Sequence, residues 1–161
     1  MTAYIRLGEY MMMTIEPMSA ADRPAVHDLL RSHRLPLDGF DDPHVVALVA
    51  RDGNAVVGSA AIEQYGSSGL LRSVAVSDSH RGQSLGKQLT QAAIALAESR
   101  GLTSLYLLTE TASAFFPKFG FVPVSRADIP SEVRTSVEFT TACPASAQAF
   151  QLPLKGVSRE R

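Results

Sequence analysis

The sequence holds one cysteine, no tryptophan, four scattered histidines and almost no surplus charge. The single Cys143 excludes an internal disulfide framework and a multi-cysteine zinc site. The histidines form no HExxH or comparable spacing, so no metal signature is present. Fifteen Lys and Arg against sixteen Asp and Glu leave a formal charge of −1. That balance gives no long-range pull on nucleic acid or anionic lipid. No apolar run approaches the roughly 18–20 residues that span a bilayer. The opening MTAYIRLGEYMMMTIEPMS lacks a basic region, a continuous apolar core and a small-residue cleavage site. These absences set aside nucleic-acid, membrane, metal and disulfide-scaffold classes, and the chain reads as cytoplasmic.

What is present is 161 residues, 45% of them hydrophobic and 19% charged. A chain of this length buries roughly 70% of its unfolded surface and is stable without cross-links. The reading is one domain over residues 14–152, with an N-terminal extension (1–13) and a solvated tail (153–161).

The apolar pattern predicts a strand at Thr14–Met18 and a helix over 20–32, with Ser19 as its N-cap and Asp22 three residues on. Strand-like runs follow at His44–Ala50, Ala55–Ile62 and Leu70–Val76. Asp52-Gly53-Asn54 and Gly66–Gly69 supply turns, so the three runs read as adjacent antiparallel strands. Beyond Val76 the periodicity changes. Leu85, Leu89, Ala92, Ala93 and Leu96 recur at helical spacing, and Gly101 marks the stop. Further expectations are a strand at Leu102–Leu108, a short helix at Ala112–Phe119, strands at Phe121–Val124 and Val133–Phe139, and a short helix over Ala145–Leu152. Antiparallel strands followed by strand–helix–strand predict an α/β fold with a mixed sheet covered by helices.

Arg81-Gly82-Gln83-Ser84-Leu85-Gly86 lies between a strand and the long helix. Backbone amides at a helix N-terminus, together with the helix dipole, favour an anion there. Gly82 and Gly86 permit close approach, and Arg81 adds positive charge. The segment is neither a P-loop nor a dinucleotide fingerprint. On its own it fits either an anion cradle or an ordinary helix entry.

Two windows, SVAVSDSHRGQSLGKQL (73–89) and TETASAFFPKFGFVPV (109–124), resemble the GCN5-related N-acetyltransferases, or GNAT family. The resemblance implies acetyl-CoA as cosubstrate, a small-molecule amine as acceptor and a homodimer. It also implies a splayed central strand ahead of the phosphate-loop helix. The family motif Arg/Gln-x-x-Gly-x-Gly/Ala is met by Arg81 and Gly86, with Ser84 where glycine is usual. By the same resemblance the backbone of Ser73, Val74, Ala75 and Val76 holds the pantetheine arm and the acetyl carbonyl. Val74 thus enters the catalytic set through its main chain. The tyrosine that returns a proton to coenzyme A in many members lies four residues before the glycine of the Gly-Phe pair. Here that position is Phe116, so the common acid is missing. Phe116 then packs beside pantetheine or in the core. Thr109 is a cofactor-side hydroxyl or a helix cap.

The acceptor side is less determined. Glu63 closes the second central strand and reads as a proton acceptor facing the amine or as a solvated strand end. Glu110 reads as a rival to it or as a helix-start acid. Arg72, isolated in an apolar run, needs an anionic partner. It binds either an acceptor carboxylate, with Ser73 beside it, or a structural carboxylate. Cys143 is structural, lines the acceptor pocket or acts as a covalent nucleophile. His33 reads as an exposed helix-end histidine. A narrower resemblance spans residues 69–147 and includes Cys143-Pro144-Ala145-Ser146-Ala147. It is to the acetyltransferase branch associated with bacterial arsenic-resistance operons, related to stand-alone N-acetylglutamate-synthase-like enzymes. It implies a small amino-acid-like acceptor, organoarsenicals included. Peptide or protein acetylation and a noncatalytic acetyl-CoA-binding module are the alternatives.

Overall fold

The computed structural model describes residues 3–7, 11–82, 84–142 and 146–155. Gln83 and Cys143, both expected at the site, lie outside these residues. Eight strands form one mixed sheet, in the order β1-β2-β3-β4-β5-β6-β8-β7. These are β1 (Ala3–Leu7), β2 (Met11–Pro17), β3 (Val45–Asp52), β4 (Ala55–Tyr65), β5 (Ser68–Val76), β6 (Ser104–Thr109), β7 (Val122–Pro123) and β8 (Gln148–Pro153). Strands β1 to β5 run as an antiparallel meander, and β5 and β6 are parallel. The sheet therefore begins earlier than Thr14, because Ala3–Leu7 pairs with Met11–Ile15.

Helix α1 (Arg23–Ser32) follows a single 3-10 turn at Ala20–Asp22. Its entry is fixed as the sequence predicts: Asp22 Oδ2 accepts the Ser19 backbone N–H at 2.8 Å and its hydroxyl at 2.9 Å. Arg51 of β3 clamps the same carboxylate from the other side, at 2.8 and 2.6 Å, and also donates to Glu16. This guanidinium holds the Asp22 carboxyl down at about 2. Helix α2 (Leu85–Ser99) buries Leu85, Leu89, Ala93 and Ala97, one residue per turn. They pack on Ile15, Leu48, Ile62 and Leu71, while Val26, Leu29 and Leu30 of α1 cover the opposite face against Val49, Ala61 and Ala75. Each large side chain sealed in this way contributes roughly 1.5–3 kcal/mol. Gly58 lets α2 sit close, since a Cβ there would stand 2.7 Å from Leu89 Cδ1.

Two regions depart from the sequence pattern. Val133–Phe139, expected as a strand, lies across the short helix α3 (Ser131–Arg134) and a π-helical turn at Glu138–Ala142. Ala145–Leu152, expected as a helix, contributes β8, which inserts between β6 and β7. Tertiary context decides both. The β-rich composition of 133–139 yields to Val133 burying beneath Ile129 and Leu70. Ala149 and Phe150 find a sheet slot that bare periodicity does not reveal. The expected helix at Ala112–Phe119 contracts to a 3-10 turn at Phe116–Phe119.

Candidate active site

The site originates in a fault in the sheet. Strands β5 and β6 pair over only three positions, Ser68–Leu70 with Ser104–Tyr106, and then part. On the other side of β5 the register against β4 slips by one residue between Ser59/Ala75 and Ala61/Arg72. The extra residue is accommodated at Ser73, whose φ is +59°. The Ser59 hydroxyl, fully buried, donates to the Ser73 carbonyl at 2.7 Å and secures the bulge. The parted strands enclose a cavity of about 1090 Å³, with Leu71–Val76 on one wall and Leu107–Ala112 on the other. The outward backbone groups of the β5 stretch thus face a ligand space instead of a neighbouring strand.

At one end of this cavity stands the N-terminus of α2. Ser84, its N-cap, is left-handed at φ +60° and provides no side-chain cap, so the first-turn amides are free to bind an anion. A left-handed backbone explains why glycine suits this position. Gly82 is also left-handed, at φ +81°. A Cβ on Gly86 would project between Val76 and Phe115, 3.7 and 3.8 Å away, where both residues line the cavity. Ser84, Leu85, Gly86 and Arg81 all lie on this wall. Arg81 is exposed and pairs with Asp78 at 3.2 Å. The Thr109 hydroxyl accepts the Ala112 N–H at 3.0 Å and so caps the turn after β6. Phe116 is buried edge-on against Phe115 and Phe121, with its ring on the cavity wall. Its phenyl offers no proton.

The other end is built from buried charges. Arg72 of β5 has a fully buried side chain. Its Nη1 donates to Glu63 Oε2 (2.7 Å) and the Asp38 carbonyl (2.8 Å), its Nη2 to the Pro36 carbonyl (3.0 Å), and its Nε to Ser73 Oγ (3.1 Å). Glu138 Oε2, on the π-helical turn, stands 3.4 Å from Nη2. The Phe40 ring lies 5.9 Å from the guanidinium carbon. A Cβ on Gly39 would stand 2.9 Å from Val137, so only glycine lets this loop wrap the arginine. With all five donors engaged, Arg72 forms the structural ion pair that the sequence held open. An acceptor carboxylate reaches it only by displacing one of these partners.

Glu63 does not face the cavity. It is 1% exposed and absent from the cavity wall, where Arg72, Ser73 and Glu138 are present. It accepts from Arg72 and from the Tyr65 hydroxyl, and His44 Nε2 donates to that hydroxyl at 3.1 Å. Burial pushes the Tyr65 phenol up, and the hydrogen bond to Glu63 adds to the shift. The physical reason is parity: Glu63 and Ala61 point to the α1 side, beneath the 36–40 loop.

Two further cavity residues have no site role in the sequence reading: Glu138, inside an expected strand, and His33, read as an exposed helix end. His33 lines the cavity with Nδ1 on the Leu29 carbonyl (3.0 Å), while its buried Nε2 has no hydrogen-bond partner among the described residues. Glu110 also lines the cavity and accepts from Ser146 at 3.1 Å.

Residues 43–123, half of the chain, match the family model of the acetyltransferase (GNAT) domain. This chain belongs to the GNAT acetyltransferases. The splayed strands and the phosphate loop are the parts of this GNAT domain shaped to take an acyl-CoA. No curated protein sequence matches the chain. Among solved structures, it is similar to N-acetylglutamate synthase from Neisseria gonorrhoeae complexed with coenzyme A and L-arginine, at 18% identity and a TM-score of 0.74. That match covers 89% of this chain and 33% of the synthase, so the chain spans about a third of that relative. It is also similar to Rv2747 from Mycobacterium tuberculosis in complex with CoA, at 20% identity and a TM-score of 0.72 over 87% of this chain and 98% of that one. The ribosomal-protein-S18-alanine N-acetyltransferase from Escherichia coli matches at 18% identity and a TM-score of 0.71 over 93% and 99%. Likeness at this identity speaks for the fold. Among the described residues no helix is long and apolar enough to cross a membrane.

Proposed function

We propose that this enzyme acetylates the amine of a small amino-acid-like acceptor by direct transfer within a ternary complex. The observation that carries this reading is the closed acceptor end. Arg72 draws the Pro36 and Asp38 carbonyls down over the bulge, and Glu138 closes the same end from the π-helical turn. A space bounded by buried charges suits a compact polar acceptor better than an extended polypeptide. Its likeness to N-acetylglutamate synthase and the resemblance of residues 69–147 to the arsenic-resistance branch point the same way, with arsenical amino acids among the acceptors. A cytoplasmic location, where acetyl-CoA is supplied, and the homodimer that the family resemblance implies are parts of the same proposal.

In this reading the neutral amine attacks the thioester carbonyl, the new N–C bond forms and the C–S bond breaks. The main-chain N–H of Val74, on the unpaired edge of β5, stabilises the oxygen as it gains charge. The amine proton leaves to water, because Glu63 is sealed away. The departing thiolate takes its proton from solvent, because Phe116 cannot supply one. Cys143 is not needed as a nucleophile.

Likeness to the S18-alanine enzyme favours a polypeptide N-terminus as the second acceptor class. A coenzyme A release assay with amino acids, their phosphinic and arsenical analogues, and N-terminal peptides separates the two. Release with the small acceptors and not with peptides is expected; release with peptides alone overturns the reading. Cys143→Ala retains turnover, and its complete loss together with an acetylated Cys143 would replace direct transfer.

A further inference from the structure

We propose that Arg34 binds the carboxylate of the acceptor and so selects amino acids over simple amines. The inference rests on reading the cavity as an acetyl-transfer site. It begins with a contrast between two helix ends. Helix α2 closes with Gly101 N–H on the Glu98 carbonyl (3.0 Å) and Leu102 N–H on the Ala97 carbonyl (3.1 Å), with Gly101 at φ +80°. Helix α1 closes with the same two bonds: Arg34 N–H on the Arg31 carbonyl (3.0 Å) and Leu35 N–H on the Leu30 carbonyl (2.9 Å). This motif calls for a left-handed residue, normally glycine. At α1 the position is held by arginine at φ +58°. A long side chain in a strained backbone, beside a ligand cavity, points to a use for the side chain.

The side chain is also unemployed. Arg23, Arg31, Arg51, Arg81 and Arg100 each meet a side-chain acceptor, and Arg72 meets five groups. Arg126 and Arg134 donate to carbonyls. Arg34 is exposed, lines the cavity and has no hydrogen bond or ion pair among the described residues. Its place is not left to chance. Two and four residues on, Pro36 and Asp38 are held by Arg72, so the buried arginine positions the loop that carries the free one. That anchoring ties the loop after Arg34 to the Arg72–Ser73 end of β5, while its neighbour His33 stands 3.7 Å from Asp78, ahead of the phosphate loop, so Arg34 sits between the two ends of the cavity. A guanidinium in this setting takes a carboxylate through two parallel N–H bonds. Arg72 was the sequence candidate for this duty; Arg34 has the donors to perform it.

The test pairs each amino acid with its decarboxylated amine: L-alanine with ethylamine, and L-phenylalanine with phenethylamine. Binding to the coenzyme A-loaded protein is measured by calorimetry, alongside coenzyme A release, for wild type, Arg34→Gln and Arg34→Gly. Arg34→Gln is expected to weaken amino-acid binding at least tenfold, leaving the simple amines and coenzyme A within twofold. Arg34→Gly is expected to lose the same selectivity while its Tm rises by roughly 2–4 °C, because the left-handed backbone is relieved. Unchanged amino-acid binding in Arg34→Gln overturns the proposal, as does a wild type that binds neither amino acid. Equal weakening of coenzyme A makes Arg34 a phosphate contact and also overturns it, and a lowered Tm in Arg34→Gly assigns the residue to the fold. Arg34-dependent binding without coenzyme A release would remove the acetyl-transfer reading and leave this one standing.

Discussion

The two ends of the cavity are built by different means. The cofactor end relies on main chain: a strand edge left open by the splay, a left-handed serine, and helix amides without a side-chain cap. The other end relies on charged side chains from three separate segments, Glu63, Arg72 and Glu138, with Arg72 holding the Pro36 and Asp38 carbonyls. Main-chain sites tolerate sequence change as long as the backbone path survives. Side-chain sites concentrate their energy in single residues. This predicts large stability effects and altered acceptor choice at one end, and steric effects on cofactor affinity at the other.

The sharpest break is Arg72→Leu. It removes the buried cation that Glu63 and Glu138 face, and a loss of about 3–5 kcal/mol is expected in urea unfolding. Arg72→Leu combined with Glu63→Leu should recover part of that loss; no recovery would mean that the loop contacts, not the ion pair, dominate. Asp22 supplies a control remote from both ends. Its carboxyl is held at about 2, below the ordinary 3.8, by Arg51. Its stabilisation is therefore complete above about pH 4 and fades as pH falls towards 2. Asp22→Asn should remove about 2 kcal/mol at neutral pH and flatten the acid limb of stability, with activity per folded molecule unchanged. At the cofactor end, Gly86→Val places a branched side chain between Val76 and Phe115. Acetyl-CoA affinity should fall at least tenfold with Tm preserved; an unchanged Kd would contradict the cradle. The mildest change is Ser59→Ala, which removes the hydrogen bond that secures the bulge. It should cost about 1 kcal/mol and weaken acetyl-CoA slightly, by less than Gly86→Val does.

The same division explains what could be read from the sequence. The antiparallel meander, the hairpin at Asp52–Asn54 and helix α2 follow from period-2 and period-3.6 patterns, and the structure contains them within a few residues. The phosphate loop is a local feature, contiguous in sequence, so its motif was legible. The Arg72 network is not contiguous: Glu63 is nine positions away, Asp38 thirty-four, and Glu138 sixty-six along the chain. Arg72 announced that it needed a partner, but no spacing rule could say which. The region after Gly120 misled for a related reason. Val133–Phe139 carries β-branched and aromatic residues, yet its burial beneath Leu70 favours helical turns, and the strand expected there is supplied by Gln148–Pro153. Arg34 was passed over because nothing in its neighbours signals a left-handed residue.

The placement of β8 has a consequence for how the molecule assembles. Among the described residues β7 pairs into the sheet through β8, and β8 pairs with β6 across some forty intervening residues. The part built from β3 to β5 closes through neighbouring hairpins, a fast and local process. The half beyond β6 stays open along one edge until residues 148–153 arrive, and during that interval β6 exposes an unpaired apolar edge. The late step in folding, and the moment of greatest exposure to aggregation, should therefore be the closing of β8 onto β6.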